Sequence, residues 1–422
     1  MTNSCTETGE PGILQENLGT VLKIGRIAEF GDRPQFGVCP QILPKFSQFL
    51  GSDPMFAAII APFLKDRLLH LLLLIGLVLA VLHPAAVAQA PGAIHTPTLL
   101  TLCGLMLLTK GIEVSGALDH AGRRMLNHFT HERTLALFLV AFSALLSTVL
   151  TNDIALFIVV PLTLGLRNLA GLPIGRLVIF EALAVNAGSL LTPIGNPQNI
   201  LLWQLSHLSF AAFTWQMAPL ALVLMALLLA LTAMAFPDQR IAVGLPSEAV
   251  RWQGALMAFC SVLYVAFVAL VEWGHPGWGL AAVLLGLAVV HPRLLRQVDW
   301  SLIAVFALMF VDIHLLTALD GIGRLLAPLT HDSPRMLFLV GVLASQIISN
   351  VPATILLTQW VPPNAVLAYA VNVGGFGFVL GSLANLIALR MAAERGLWLR
   401  FHYYAVPFLV VSTAVAWRVL EI

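Results

Sequence analysis

Two apolar stretches of the sequence carry the same pattern of small polar residues. It reads Ser-x-x-x-[Ser/Thr]-Asn and occurs at 147–152 and again at 345–350. Hydroxyl and amide oxygens, with backbone carbonyls freed by a break in a helix, suit a hard cation such as Na⁺. The N-termini of half-helices offer amide donors and about half a positive charge to an anion. Because the pattern is repeated, it favours a joint site for cation and anion over hydrogen bonds between helices alone.

An acidic residue, Asp153, directly follows the first motif. A charged carboxylate near the middle of a membrane costs at least about 2.5 kcal/mol, so a functional role is the default hypothesis. Asp153 could ligate a cation, carry a proton or cap a half-helix, and the first two roles are favoured. The second motif continues with Val351, so the two sites are predicted to differ chemically.

Other ionisable residues also lie in apolar segments. Asp312 and His314 occupy the middle of one segment and are candidates for a proton relay. Lys110 and Glu113, three residues apart, are predicted to form an ion pair on one helix. Glu181 lies close to the start of its helix and is predicted to reach the membrane interface.

Two further apolar segments, 177–208 and 364–391, are interrupted by proline and glycine. Proline removes a backbone donor and glycine weakens a helix, so both segments are predicted to be unwound there. Such breaks persist in a membrane only where protein buries them or where they line a water-filled cavity. The loops 192–199 and 374–385 are therefore predicted to complete the site. The predicted solute-binding residues are Asn152, Asp153, Thr192, Asn196, Asn199, Asn350, Ser382 and Asn385.

The composition identifies a membrane protein. Of 422 residues, 59% are hydrophobic and 10% are charged, and the mean hydropathy is +0.90. Soluble domains have about 25% charged residues, and the apolar runs here approach or exceed the roughly 17–25 residues that cross a bilayer. The net charge of +1 is uninformative about nucleic-acid or acidic partners, and no nucleic-acid partner is predicted. The four scattered cysteines indicate neither a disulfide framework nor a metal site.

Residues 1–60 differ from the rest, being polar and rich in glycine and proline. They are predicted to form a disordered cytosolic tail, without the apolar core and cleavage site of a signal peptide. Met55, just before the first membrane segment, is an alternative start of translation. N-terminal sequencing of the native protein would decide between the two starts.

The remaining chain divides into apolar segments that are predicted to enter the membrane. These are 66–84, 96–114, 134–166, 177–208, 212–235, 252–272, 277–292, 299–318, 335–361, 364–391 and 403–420. Segments 134–166 and 335–361 break in the middle into arms of about 15 residues or fewer, too short to span. Each is predicted to be a re-entrant hairpin that enters and leaves at one face.

The loops carry a strong charge bias. With the N-terminus cytoplasmic, this topology places every Lys and Arg after residue 64 inside, except Arg324, Arg335 and Arg418. Cytoplasmic loops are generally enriched in these residues. Treating either hairpin as a full crossing would destroy the bias.

The two halves resemble each other in three places, in the same order. The matching pairs are 117–119 with 318–320, 147–152 with 345–350, and 185–199 with 371–385. Since the topology gives the halves opposite orientations, the fold is predicted to be all-α and polytopic, with two inverted repeats. Each repeat contains a re-entrant hairpin and a broken transmembrane helix. The predicted divisions are the tail 1–60, first repeat 61–235, connecting helices 236–298 and second repeat 299–422.

At these breaks the sequence resembles the ion transporter superfamily of arsenite permeases, D-type sodium/proton antiporters and divalent-anion/sodium symporters. The resemblance covers roughly residues 60–420 and is carried by four motifs. They are Thr151-Asn152-Asp153, Gly195-Asn196-Pro197-Gln198-Asn199, Ser349-Asn350-Val351-Pro352 and Gly381-Ser382-Leu383-Ala384-Asn385. The symporter branch has threonine where this chain has Asp153 and Val351, which argues against dicarboxylate specificity. Thr-Asn-Asp is more similar to the arsenite-permease branch.

The resemblance implies two cation sites, one at each hairpin tip. The first would comprise Ser147, Thr151, Asn152 and the loop at Gly195; the second would comprise Ser345, Ile348 through its backbone, Asn350 and the stretch 381–384, including Ala384. The resemblance also implies an elevator-type motion and a homodimer.

The predicted function is secondary active transport of a small anion or oxyanion across a bacterial inner membrane, coupled to a Na⁺ or H⁺ gradient. The alternative is a Na⁺/H⁺ antiporter with Asp153 as the exchange site. An intramembrane enzyme is disfavoured because the sequence has no HExxH and no recognisable nucleophile–base or paired-aspartate context. A non-transporting scaffold would not need symmetric broken helices. No P-loop occurs, and no cofactor is predicted beyond Na⁺ as a possible coupling ion.

Overall fold

The computed structural model describes residues 62–126, 128–166, 172–241, 252–326 and 333–421. Within these ranges the regular structure is helical and contains no β-strand. The predicted tail, residues 1–60, lies outside the described residues.

The first half contains both long apolar helices and shorter helices. They are α1 (Arg67–Leu82), α2 (Pro84–Val87), α3 (Thr96–Val114), α4 (Ala117–Leu126), α5 (Glu132–Val149), α6 (Asn152–Gly165), α7 (Ile174–Ser189), α8 (Pro197–Ser206) and α9 (Phe210–Ala235). The second half follows a similar order. It comprises α10 (Gly254–Glu272), α11 (Pro276–Val290), α12 (Trp300–Thr317), α13 (Asp320–Leu326), α14 (Pro334–Ile348), α15 (Asn350–Leu357), α16 (Ala365–Val373), α17 (Leu383–Ala392) and α18 (Leu397–Val419).

Six of the described helices are long and apolar enough to cross a membrane, namely α3, α5, α9, α10, α12 and α18. Helix α5 has 18 residues, so the prediction that both arms of segment 134–166 are too short to span is wrong for the first arm. The outward faces of these helices and of the shorter apolar helices carry exposed leucine and valine, as on α1, α10 and α11. Such a surface would aggregate in water but suits lipid. The predicted all-α, polytopic membrane fold is confirmed.

Exposed tryptophans mark the ends of the membrane helices. Trp252 and Trp273 flank α10 and lie about 30 Å apart along a helical rise of 1.5 Å per residue, close to the thickness of a bilayer core. The Glu272 carboxylate accepts a hydrogen bond from the Phe210 N–H (2.7 Å), so the start of α9 lies at the same end. Tryptophan is enriched at both membrane interfaces.

The predicted breaks fall where proline, glycine and polar residues interrupt the segments. The chain leaves the helix between α5 and α6, between α7 and α8, between α14 and α15 and between α16 and α17. One boundary was predicted wrongly, because α18 begins at Leu397 and not at residue 403. Gly396 has φ +73°, the left-handed conformation that glycine adopts readily, and it lets the chain start α18 directly after α17.

Helix α7 forms the centre of the protein. All of its residues except Arg176 are buried, and it packs against α5, α6, α9, α17 and α18. A helix that is apolar on every side belongs in the interior. The prediction that Glu181 reaches the interface is wrong: its side chain is fully buried on α7 and accepts a hydrogen bond from the Thr163 hydroxyl.

Candidate solute and ion site

Two asparagine pairs join the broken helices of the two halves. Asn186 Nδ2 donates to Asn385 Oδ1 (2.8 Å), and Asn372 Nδ2 donates to Asn199 Oδ1 (2.7 Å). Asn186 corresponds to Asn372 in the repeated sequence pattern, and Asn199 to Asn385. The two hydrogen bonds are therefore equivalent, and both lie where the broken helices of the two halves meet.

The same asparagines hold the unwound backbone. Asn199 Nδ2 also donates to the carbonyls of Leu190 and Thr192, both at 3.1 Å. At the equivalent place Asn385 Nδ2 donates to the Gly375 carbonyl at 3.0 Å. Since carbonyls freed by a break must find partners inside a membrane protein, these amides explain why both breaks are tolerated.

Two other predicted residues begin the second arms of the broken helices. Asn196 Oδ1 accepts from Asn199 N (3.0 Å), which caps α8, and Asn196 Nδ2 donates to Asn372 Oδ1 (3.1 Å). Ser382 Oγ accepts from Ala384 N (3.3 Å) at the start of α17. The amide network thus includes a cap and crosses from one half to the other.

The tip of the first hairpin, between α5 and α6, is fastened to the α7–α8 break. Asn152 N donates to the Gly195 carbonyl (2.9 Å). The Thr192 hydroxyl donates to the Thr148 carbonyl (2.7 Å), and the Thr148 hydroxyl reaches the Gly188 carbonyl (3.2 Å). Asn152, Thr192 and Gly195 are therefore brought together as predicted.

Gln346 fastens the second hairpin, between α14 and α15, to the α16–α17 break. Its Nε2 donates to the Gly374 carbonyl (2.6 Å), and its Oε1 accepts from Phe378 N (2.8 Å). At the tip, Ser349 has φ +73° and ψ 155°, a conformation that is essentially restricted to glycine. Its buried hydroxyl has no hydrogen-bond partner within the described part of the chain. Asn350 lies beside Gly375, where an added Cβ would stand 3.3 Å from its Nδ2.

Ser147 and Ser345 occupy equivalent places on the hairpins. Their hydroxyls donate to the carbonyls of Ala144 (3.0 Å) and Gly341 (2.8 Å), which leaves oxygen lone pairs for a cation. The remaining members of the predicted cation sites are placed nearby along the chain: Thr151 is buried at the first tip, Ile348 is half-buried at the second, and Ala384 is buried at the start of α17. Cation binding by these residues remains a prediction.

Gly188 is expected to tolerate no side chain. A Cβ there would stand 2.1 Å from the Ala144 carbonyl oxygen and 2.5 Å from Ser147 Oγ, so α5 and α7 would have to separate. We expect Gly188→Ala to lower the free energy of unfolding by about 2 kcal/mol, measured as thermal stability in detergent. Gly165→Ala is the matched control, because no atom of the described residues lies within 4 Å of that added Cβ. Equal stability of the two variants would contradict the close hairpin contact.

A cavity of about 380 Å³ leads from one face of the protein to the tip of the first hairpin. Thr151 and Asp153 line its inner end together with Leu383, the first residue of α17. Lys65 and Arg390 line its mouth. Arg390 lies two helical turns after Leu383 on α17, which places it about 10 Å from the inner end. The cavity gives a small solute access to one hairpin tip.

Four helices begin at the wall of this cavity. The lining includes the N-cap residues Asp66, Thr151 and Asp299 of α1, α6 and α12, and also the first residue of α17. Each helix N-terminus carries about half a positive charge. The carboxylates of Asp66 and Asp299 offset this charge at α1 and α12, whereas α6 and α17 begin with the uncharged caps Thr151 and Ser382 and can favour an anion.

Asp312 and His314 do not join this site. Asp312 is buried on α12, about 20 Å along the helix from Asp299, and faces α1, where an added Cβ on Gly76 would stand 2.5 Å from Asp312 Oδ1. Among the residues that the structure describes, both Asp312 carboxyl oxygens and His314 Nε2 are buried without a hydrogen-bond partner. Their proton relay would have to be separate from Asp153.

Three residues at the centre were not among the predicted binding residues: Asn186, Asn372 and Gln346. The two asparagines carried a usable signal, because they belong to the sequence match between the halves. Gln346 did not, because its counterpart in the first hairpin is Thr148, which reaches the equivalent carbonyl with a shorter side chain. In the described part of the chain, no group of three or more His, Cys, Asp or Glu side chains could hold a metal ion.

Comparison with known proteins agrees with this architecture. The profile of the citrate transporter family, CitMHS, matches residues 55–362. The inner membrane protein YbiR of Escherichia coli is 50% identical over 365 residues, which cover 86% of this chain and 98% of that protein. An uncharacterized transporter of Methanocaldococcus jannaschii is 30% identical over 75% of this chain and 87% of its own length. A silicon efflux transporter of rice is 26% identical over 81% of this chain and 90% of its length.

The resemblance seen at the sequence motifs is thereby confirmed at the level of the family. The matched region contains both hairpins and the first broken helix. The chain is a multi-pass inner membrane transporter that belongs to the citrate transporter family, within the ion transporter superfamily.

Proposed function

We propose that the protein is a secondary active transporter that moves a small anion or oxyanion, driven by a gradient of Na⁺ or H⁺. One observation carries the proposal: the N-termini of α6 and α17, whose N-cap residues Thr151 and Ser382 are uncharged, meet at a single cavity that ends at the first hairpin tip. Their dipoles favour negative charge. The cavity volume of about 380 Å³ admits a solute of small-anion size.

The coupling ion binds at Asp153 in this proposal. The carboxylate lies at the inner end of the cavity and has no hydrogen-bond partner among the described side chains. A proton or a Na⁺ ion would neutralise it, and neutralisation would make the inner end more favourable for an anion. Cation and anion binding would then be coupled through charge, without direct contact between the two ligands.

The relatives support a transporter of small, oxygen-rich solutes. The matching family is named for citrate, and the rice relative for silicon efflux. The family and these named relatives are transporters, which also favours transport over an enzymatic role. The elevator-type motion, the homodimer and the cytoplasmic position of the N-terminus remain predictions.

A Na⁺/H⁺ antiporter is the second candidate. Asp153 and Asp299 lie on opposite elements of the cavity wall and are close enough to repel each other electrostatically. Two such carboxylates could exchange a Na⁺ ion for a proton without an anion.

Reconstituted protein separates the two functions. Current and uptake are measured in proteoliposomes after a jump in citrate, sulfate or phosphate, with an inward Na⁺ gradient, with a pH gradient and with neither. If the protein is an anion transporter, we expect anion uptake that one gradient drives and that Asn152→Ala abolishes, since the buried Asn152 side chain lies at the first hairpin tip and is a predicted binding residue. Proton movement on addition of Na⁺ alone, with no anion uptake under any gradient, would favour the antiporter.

A further inference from the structure

We propose that Lys65, Lys110 and Arg390 form a cationic mouth that selects the solute by charge as it enters the cavity. All three side chains line the cavity, and they come from three different elements: the segment before α1, helix α3 and helix α17. The proposal deepens the transport function above, because it assigns the residues that distinguish an anion from a neutral acid. None of the three belongs to the predicted binding motifs.

Lys65 and Arg390 have no ion-pair partner among the described residues. Among the described residues, no carboxylate lies within 4.0 Å of the Lys65 ammonium or the Arg390 guanidinium. Lys110 pairs with Glu113 at 2.8 Å, as predicted, and keeps part of its donor capacity because an ammonium has three N–H groups. As far as the described residues show, the mouth therefore presents two cations without an ion-pair partner and one cation shared with Glu113.

The acidic residues at the mouth are already engaged. Asp66 Oδ1 accepts from Leu68 N (2.9 Å), which caps α1. Asp299 Oδ1 accepts from Ser301 N (3.1 Å), which caps α12. The Ser301 hydroxyl lies 3.0 Å from Asp66 Oδ2 and 2.6 Å from Asp299 Oδ1. Both carboxylates thus compensate the positive ends of their helices instead of Lys65 and Arg390.

We expect a positive potential at the mouth, where Lys65 and Arg390 lie, because the three carboxylates of the lining, Asp66, Asp153 and Asp299, are located at helix N-termini. Cavity walls of low dielectric constant focus such a field and raise the local concentration of ions of opposite charge. Arg390 lies on the same helix whose first residue, Leu383, reaches the inner end of the cavity. An anion drawn in by Arg390 would move along α17 toward the unwound segment at Ser382.

A thiol placed inside the cavity measures this potential directly, without knowledge of the transported solute. Ile387 lines the cavity and is partly accessible, so Ile387→Cys provides the reporter. Cys5 and Cys39 are replaced by serine, while Cys103 and Cys260 are buried and remain. The modification rates of an anionic and a cationic methanethiosulfonate are compared, each normalised to its rate with a free thiol in solution.

We expect the anionic reagent to be favoured by about 5- to 10-fold at low ionic strength, and less at 1 M salt. Lys65→Gln combined with Arg390→Gln should remove most of that preference. Arg293→Gln is the matched control, because Arg293 is exposed and does not line the cavity. A ratio near one in the parent protein, or an equal loss in the Arg293→Gln control, would overturn the proposal.

Transport measurements then separate this inference from the proposed function. The double variant should raise the KM for citrate or sulfate by about 10-fold with little change in kcat, and should leave any flux of uncharged silicic acid unaltered. Unchanged anion KM in the double variant would refute the cationic mouth while leaving anion transport intact. A parent protein that shows the thiol preference but moves no anion would instead refute the proposed function.

Discussion

Asp153→Asn is expected to abolish gradient-driven accumulation of the anion while passive exchange of the anion persists. Asparagine keeps the size of the side chain at the inner end of the cavity, but it neither takes up a proton nor offers a negative charge to Na⁺. Loss of a charge-assisted contact costs up to about 3 kcal/mol, equivalent to about 100-fold in cation affinity. Uptake into proteoliposomes, measured with and without an ion gradient, reports both properties.

Two further variants make this result specific. Asp153→Glu keeps the negative charge and should retain part of the accumulation. Asp238→Asn removes a carboxylate that is exposed and lies outside the cavity, so it should transport like the parent protein. If Asp153→Asn still accumulated the anion to the parent level under either gradient, Asp153 would not bind the coupling ion.

Asn199→Ala is expected to produce the largest loss of stability among the central residues. The substitution removes the partner of Asn372 and also leaves the Leu190 and Thr192 carbonyls without their amide donor. Each buried polar group that loses its partner costs about 1–3 kcal/mol, so the combined loss should be about 3 kcal/mol or more. Thermal unfolding in detergent should fall accordingly, and transport should be lost because both breaks depend on this contact.

The neighbouring Gln198 provides the control for Asn199. It is equally buried, but its Oε1 has no hydrogen-bond partner among the described residues. Gln198→Leu should therefore leave thermal stability unchanged or raise it, since it removes a buried acceptor that is not satisfied. A smaller loss for Asn199→Ala than for Gln198→Leu would show that the asparagine pairs do not hold the crossing together.

The membrane class, the helical segments and the positions of the breaks follow from the sequence alone, because each depends on local chemistry. Long apolar runs require lipid or a deep core, and proline and glycine end a helix wherever they occur. The repeated motifs also indicated which breaks correspond, and the pairing of Asn186 with Asn385 and of Asn372 with Asn199 follows that correspondence. Asn152, Thr192 and Gly195 were likewise predicted to be neighbours, because each lies at a break in an apolar segment.

Only the tertiary structure decided which partners the polar groups take. An amide is neutral and both donates and accepts, so nothing in its sequence context distinguishes one buried asparagine partner from another. The separation of Asp312 from Asp153 and the burial of Glu181 likewise depend on how the helices pack. Lys65 and Arg390 lie at opposite ends of the sequence and are ordinary basic residues in isolation. They become a cationic mouth because packing places them on one cavity while helix N-termini engage the nearby carboxylates.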